Sequence, residues 1–175
     1  MKRAIALTCG ITAALSFNPT TLPAQTSDNV VDSKSDWSVF VENSPRRCWI
    51  VSKPTKSVNT RGGKPVVVKR SDIRFFVTYL PKSGVMGEVS YTGGYPIKPD
   101  APVRLSIGSA RYNMYPDGEY AWPESPAVDT KIRTSMQRGA SAVVEAQSAR
   151  GTKTSDTFSL VGFTAALAEA KKRCK

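Results

Sequence analysis

Short runs of alternating apolar residues, separated by Gly, Pro and Ser, constrain the fold of this chain more than any other feature. The strongest run, residues 72–80, places apolar side chains on both faces of an extended segment, which predicts a central strand covered on both sides. Residues 103–107 alternate cleanly, which predicts a strand with one solvated face. Further strands are predicted at 37–41, 48–51, 87–91, 142–146 and 156–161, and on both sides of a turn at 116–118.

Two segments carry helix signals. Ser125 and Pro126 predict the N-cap and first residue of a helix that ends at Gly139, and Thr164 predicts the N-cap of a short C-terminal helix. Eight or nine short strands with two helices predict a mainly β fold, an antiparallel β-sandwich or a partly open barrel. Residues 36–175 are expected to form a single domain around one core.

The first 24 residues have the composition of a secretory signal peptide. A basic start precedes an apolar run over residues 4–17, and Ala24 supplies a small residue before a cleavage point at Gln25. The run is too short to span a bilayer, and no later segment is apolar enough to be a membrane helix. We therefore expect a periplasmic or secreted protein without a transmembrane segment in its mature chain. Residues 25–35 are small and polar, and are expected to form a flexible lead-in.

Two cysteines remain after removal of this leader, because Cys9 lies within it. Cys48 lies near the start of the predicted domain and Cys174 lies near the end of the C-terminal helix. An even number of cysteines in an exported protein usually indicates a disulfide, so a Cys48–Cys174 bridge is predicted. Two free thiols are the alternative. A zinc site is disfavoured, because two isolated cysteines without histidine cannot supply the usual ligands.

Positive charge is concentrated in one segment. The mature chain has 23 basic and 14 acidic residues, and residues 45–75 hold +8 of its formal net charge of +9. Such asymmetry attracts anions such as lipopolysaccharide phosphates or other polyanions. The alternative is a solvated loop that only increases solubility. Few aromatic residues are interleaved, so specific nucleic-acid binding is not predicted. The candidate anion-binding residues are Arg61, Lys64, Lys69 and Arg70.

No residue pattern indicates catalysis. The sequence contains no histidine, which excludes Ser-His-Asp and Cys-His mechanisms and removes the commonest metal ligand. No Gly-rich phosphate loop is present, and the fourteen carboxylates follow no pairing pattern, although two of them could meet in space as in a hydrolase. We therefore predict a non-enzymatic protein, with no catalytic residues, metal or cofactor.

Four aromatic residues flank the turn predicted at 116–118. We expect them to be cross-strand pairs and core, with a sugar-binding or partner-binding platform as the alternative. They are Tyr112, Tyr115, Tyr120 and Trp122.

Several short motifs from residue 87 onward follow the pattern of a known family. They include Gly87-Glu88-Val89-Ser90 and Gly94-Tyr95-Pro96, and the most specific are the segments 148–152 and 155–160. In these motifs the chain resembles the invasion-associated locus B family, which comprises exported proteins of alphaproteobacteria. The resemblance implies an envelope or secreted protein and no reaction. We expect the protein to bind an envelope component or a partner protein, and an anionic glycolipid is among the candidate ligands.

Overall fold

The structure is a computed structural model that describes residues 29–175, so the predicted signal peptide lies outside the described residues. Within them, twelve strands, one 3₁₀ turn and two helices succeed one another along the chain. The elements are β1 (Val30–Lys34), β2 (Trp37–Asn43), β3 (Arg46–Ser52), β4 (Lys56–Arg61), β5 (Lys64–Pro65), β6 (Arg74–Leu80), the 3₁₀ turn (Pro81–Ser83), β7 (Val85–Thr92), β8 (Val103–Ile107), β9 (Ala110–Asp117), β10 (Tyr120–Trp122), α1 (Pro126–Arg138), β11 (Ser141–Gln147), β12 (Lys153–Ser159) and α2 (Phe163–Arg173).

The strands form one antiparallel sheet in the order β1-β2-β3-β6-β7-β10-β9-β8-β11-β12-β4-β5, which is not closed into a barrel. Its first six strands pack over the remaining six, and aromatic rings join the two halves. Phe158 on β12 contacts Phe75 on β6 and Tyr91 on β7, with ring centroids 5.5 and 6.2 Å apart. The predicted mainly β, sandwich-like or partly open architecture is confirmed.

Alternation along the strands builds the core. On β8 the side chains of Val103, Leu105 and Ile107 are buried, while those between them are exposed or half-buried. Trp37 is fully buried, and its ring packs edge-on against Phe163 of α2 with centroids 5.0 Å apart. The helix α2 is therefore part of the core rather than an appendage.

The structure has twelve strands in its described residues, where eight or nine were expected. The three additional strands are β1, β4 and β5, and their side chains are all exposed or half-buried. The expected flexible lead-in, residues 25–35, was wrong for Val30–Lys34, which pairs with β2. The segment 56–65 forms a hairpin with positive φ at Gly62 and Gly63. Backbone pairing at a sheet edge needs no apolar alternation, so these strands leave a weak sequence signal.

Both helices are present, and only the predicted start of α2 differs in position. Ser125 caps α1 as predicted, since its hydroxyl accepts from the Val128 amide. Gly139 follows α1 as predicted, but its backbone is extended and not in the left-handed conformation common at glycine C-caps. A side chain there would collide with Ile107. The N-cap of α2 is Gly162, at φ +88°, and not Thr164. Glycine is required at position 162, because the backbone there passes so close to Lys34 that no side chain fits.

The predicted disulfide is present. It joins Cys48 on β3 to Cys174 directly after α2, with Cα atoms 5.8 Å apart, and both residues are buried. Arg46 adds to this attachment, because its guanidinium donates hydrogen bonds to the carbonyl of Arg173. The C-terminal helix is thus fastened to the first strands. No helix within residues 29–175 is long and apolar enough to cross a membrane.

Candidate functional site

A cleft of about 330 Å³ lies where β4, the segment 66–73 and the turn 148–152 meet. We call it the cationic cleft, because four basic side chains line it. Arg61, Lys69 and Arg150 are exposed, and Arg70 lies deeper. Among the described residues lining the cleft, Glu119 is the one carboxylate. Its polar lining is completed by Ser71, Tyr95, Ser148, Thr152 and Thr154.

Arg70 is held by a buried ion pair. Its guanidinium donates two hydrogen bonds to Asp156 on β12, at 2.8 and 2.5 Å, and the two side chains are only 6% and 0% exposed. It also donates to the Gly93 carbonyl at 2.8 Å and to Asn59. Burial alone would lower the pKa of Arg70, but the hydrogen bonds and charge of Asp156 outweigh burial and raise it. Arg70 is therefore a fixed cation that is already neutralised.

Two tyrosines complete this network. The hydroxyl of Tyr91 donates to Asp156 at 2.6 Å, and burial followed by the nearby carboxylate charge raises the Tyr91 pKa far above its ordinary value. Tyr95 shares a 2.5 Å hydrogen bond with Thr154, and the Arg70 guanidinium lies 5.0 Å from the Tyr95 ring centroid. Burial raises the pKa of Tyr95 as well. Both phenols stay protonated, and the floor of the cleft is rigid and densely hydrogen-bonded.

Three of the four predicted anion-binding residues meet at this cleft. Arg61 reaches it from the end of β4 and donates to the Thr152 hydroxyl at 2.7 Å. Lys69 and Arg70 reach it from the segment that crosses between the two halves of the sheet. Lys64, in contrast, lies on β5 beside the hairpin turn and does not line the cleft.

Sequence reasoning missed Arg150. The segment 148–152, Ser-Ala-Arg-Gly-Thr between two predicted strands, predicts a turn with positive φ at Gly151, and Gly151 has φ +81°. Within such a turn the sequence predicts that Arg150 bonds carbonyls or Asp156, but Asp156 is bonded to Arg70 and Tyr91 instead. The Arg150 side chain is exposed and lines the cleft. Its charge lies outside the basic segment, so only the pairing of β11 with β12 brings it there.

The hairpin aromatics were expected to be cross-strand pairs and core. Tyr115 does pair with Trp122 across the hairpin, but the expectation of core was wrong for two residues. Tyr115 is 51% exposed and Tyr120 is 42% exposed. Their strands turn Met114 and Ala121 inward, and strand alternation then places the tyrosines on the opposite face. Tyr112 is half-buried and hydrogen-bonds Ser135 on α1 at 2.7 Å. Trp122 is half-buried and stacks on Tyr120.

The fold has a known counterpart. It is similar to the crystal structure of invasion associated protein B from Bartonella henselae, with a TM-score of 0.54. The likeness lies in the fold alone. The two sequences are 15% identical over the aligned part, which covers 79% of this chain and 94% of that chain. No family model matches the chain, and no curated protein matches it.

Proposed function

We propose that this chain is a non-enzymatic periplasmic or secreted protein that binds an anionic component of the cell envelope in the cationic cleft. One observation carries the proposal: Arg61, Lys69 and Arg150 come from three separate parts of the chain and converge, exposed, on one concave surface. Clefts lined by one sign of charge focus the electric field and attract oppositely charged ligands.

The buried ion pair supports this assignment. Asp156 neutralises Arg70 and holds the crossing segment in place, so the exposed cations stand on a preorganised floor. Preorganised sites lose less conformational entropy on binding. The exposed hydroxyl of Ser71 is available beside the cations as a further polar contact.

A binding role also fits the carboxylates of the cleft better than hydrolysis does. General acid–base hydrolysis of glycosides requires two carboxyl groups flanking the reacting bond. Asp156 follows the lining residues Thr152 and Thr154 in the sequence. Its carboxylate already accepts hydrogen bonds from Arg70 and Tyr91. Glu119 alone lines the cleft among the described carboxylates. Binding of a protein partner stays a prediction, and we assign no residue to it.

The test is binding of purified lipopolysaccharide and of inorganic polyphosphate to the protein at several salt concentrations. The variant Arg61→Gln/Lys69→Gln/Arg150→Gln should lose at least tenfold in affinity for both. The matched control is Arg111→Gln/Lys131→Gln/Arg138→Gln, which removes three exposed cations of the same types outside the cleft. The wild-type affinity should fall as salt rises, because salt screens exposed charges.

Equal losses in the two variants would show that only net charge matters, and the cleft would not be the site. Absence of binding to both anions would overturn the proposal altogether. Export is tested separately by the intact mass of the protein from a fractionated host, which should correspond to a chain that starts near Gln25. Full-length chain in the cytosol would contradict it.

A further inference from the structure

The outer face of the first sheet half carries a row of aromatic side chains. Ile50, Val77 and Ala121 point into the core and are fully buried, so alternation turns their neighbours outward. The outward aromatic residues are Phe40, Trp49, Phe76, Tyr120 and Trp122. An outer sheet face is ordinarily polar. A row of aromatic side chains on this face therefore indicates a binding surface.

These rings form the walls of a groove rather than a flat surface. Trp49 and Phe76 stand on one side, Tyr120 and Trp122 stand on the other, and a volume of about 240 Å³ lies between them. Its floor is lined by the small side chains of Thr78 and Ser90. We call this the aromatic groove.

The walls are already ordered. Phe40 stacks on Trp49 with centroids 5.2 Å apart and planes 7° apart, and Tyr120 stacks on Trp122 at 5.6 Å and 28°. The Arg47 guanidinium lies 5.0 Å from the Trp49 ring centroid. Rings that are fixed before binding lose little rotamer entropy when a ligand arrives.

The groove carries polar groups as well as aromatic rings. The lining residues Trp49, Trp122, Tyr120, Thr78 and Ser90 supply two indole N–H groups and three hydroxyls, and within residues 29–175 no polar side-chain atom is buried without a hydrogen-bond partner. A purely apolar partner would bury these groups unpaired, at a cost of about 1–3 kcal/mol each. The groove therefore suits a ligand that combines apolar surface with many hydrogen-bonding groups.

The groove is continuous with the cationic cleft. A second stretch, of about 550 Å³, extends along the same face past Trp49, Phe76 and Tyr120. It shares Ser71 and Glu119 with the lining of the cationic cleft. One extended molecule can therefore occupy both sites.

We infer that the aromatic groove and the cationic cleft together bind an anionic glycan. The C–H groups on one face of a pyranose ring pack against aromatic side chains, and the hydroxyls around its edge need donors and acceptors. Carboxylate or phosphate substituents of the same chain then meet Arg61, Lys69 and Arg150. Binding of anionic groups in the cationic cleft rests on the proposed function. Binding of sugar rings rests on the aromatic groove alone.

Four probes separate these parts in calorimetric titrations with the purified protein. Hexagalacturonate and deacylated lipopolysaccharide core oligosaccharide carry charge on sugar rings, as carboxylate and phosphate respectively. Maltohexaose has rings without charge, and inorganic polyphosphate has charge without rings. The groove variant Trp49→Thr/Tyr120→Ser should lose at least tenfold in affinity for at least one anionic saccharide and less than twofold for polyphosphate. Maltohexaose should bind at least tenfold more weakly than that saccharide.

Two further variants keep the test falsifiable if the double variant folds poorly. Tyr120→Ser alone changes a 42% exposed side chain and should lose at least threefold for the same saccharide. The control Val58→Thr changes a 41% exposed side chain on β4, in the other sheet half, and should lose nothing.

Unchanged saccharide affinity in the groove variants would overturn this inference while leaving the proposed function intact. Wild-type binding of polyphosphate without either anionic saccharide would do the same. Failure of every anionic probe would overturn both. Self-association that the groove variants abolish, without saccharide binding, would assign the groove to a second copy of the chain and overturn the inference.

Discussion

Replacing Arg70 with Met should destabilise the fold far more than replacing any exposed cation. The Asp156 side chain is 0% exposed and that of Arg70 is 6% exposed. The substitution leaves the carboxylate buried with Tyr91 as its donor and also removes the donor to the Gly93 carbonyl. Breaking one side of a buried pair typically costs about 3–5 kcal/mol, and the substitution should cost that amount here.

The assay is urea unfolding of the oxidised protein. With an m-value of about 2 kcal/mol/M, a loss of 4 kcal/mol lowers the midpoint by about 2 M. The control is Arg47→Met, because the Arg47–Glu42 pair is 46% and 35% exposed and such pairs contribute about 1 kcal/mol or less.

The double variant Arg70→Met/Asp156→Leu removes both charges and should recover most of the lost stability, since apolar replacements of buried pairs are often neutral or stabilising. The reasoning would be refuted if Arg70→Met cost no more than Arg47→Met. It would also be refuted if the double variant were as unstable as the two single losses added together, because the pair would then have no coupling.

Two further predictions concern the disulfide bridge and the glycines with positive φ. Replacing Cys48 and Cys174 with Ser should lower the free energy of unfolding by up to about 4–5 kcal/mol, because the bridge closes a separation of 126 residues; identical urea midpoints for oxidised protein and variant would contradict this. Gly162→Ala should cost more than Gly151→Ala in thermal melting: both have positive φ, but an added Cβ at Gly162 would lie 1.9 Å from the Lys34 carbonyl oxygen, whereas nothing lies within 4 Å at Gly151. Equal melting temperatures would show that the chain relaxes at Gly162 without loss.

The sequence predicted those parts of the fold in which local chemistry and tertiary packing agree. β8 was predicted with its observed bounds, Val103–Ile107, because its alternation matches a half-buried strand. Helix α1 was predicted from Ser125 and Pro126, which act through nearest neighbours. The hairpin turn was predicted at 116–118, but Asp117 pairs with Tyr120, so the turn lies at Gly118 and Glu119.

The candidate site was only partly accessible to the same reasoning. Arg61 and Lys69 were singled out by charge density, which needs no structure. The partnership of Arg70 with Asp156 spans 86 residues along the chain, and no local pattern distinguishes that arginine from its exposed neighbours. Arg150 was not singled out, because its charge lies outside the basic segment. The aromatic groove was invisible for a similar reason, since Trp49, Phe76 and Tyr120 come from three strands that meet only in the sheet.

The position of Cys174 determines when the bridge between the first strands and the last helix can close. Every strand of the described sheet precedes residue 174 in the chain, so all of them have been synthesised before the second thiol exists. The bridge joins the third strand to the residue after the last helix, so its two sulfur atoms meet where α2 lies against β3. Once formed, the bridge retains α2 against β3 and limits how far the two ends of the described fold can separate.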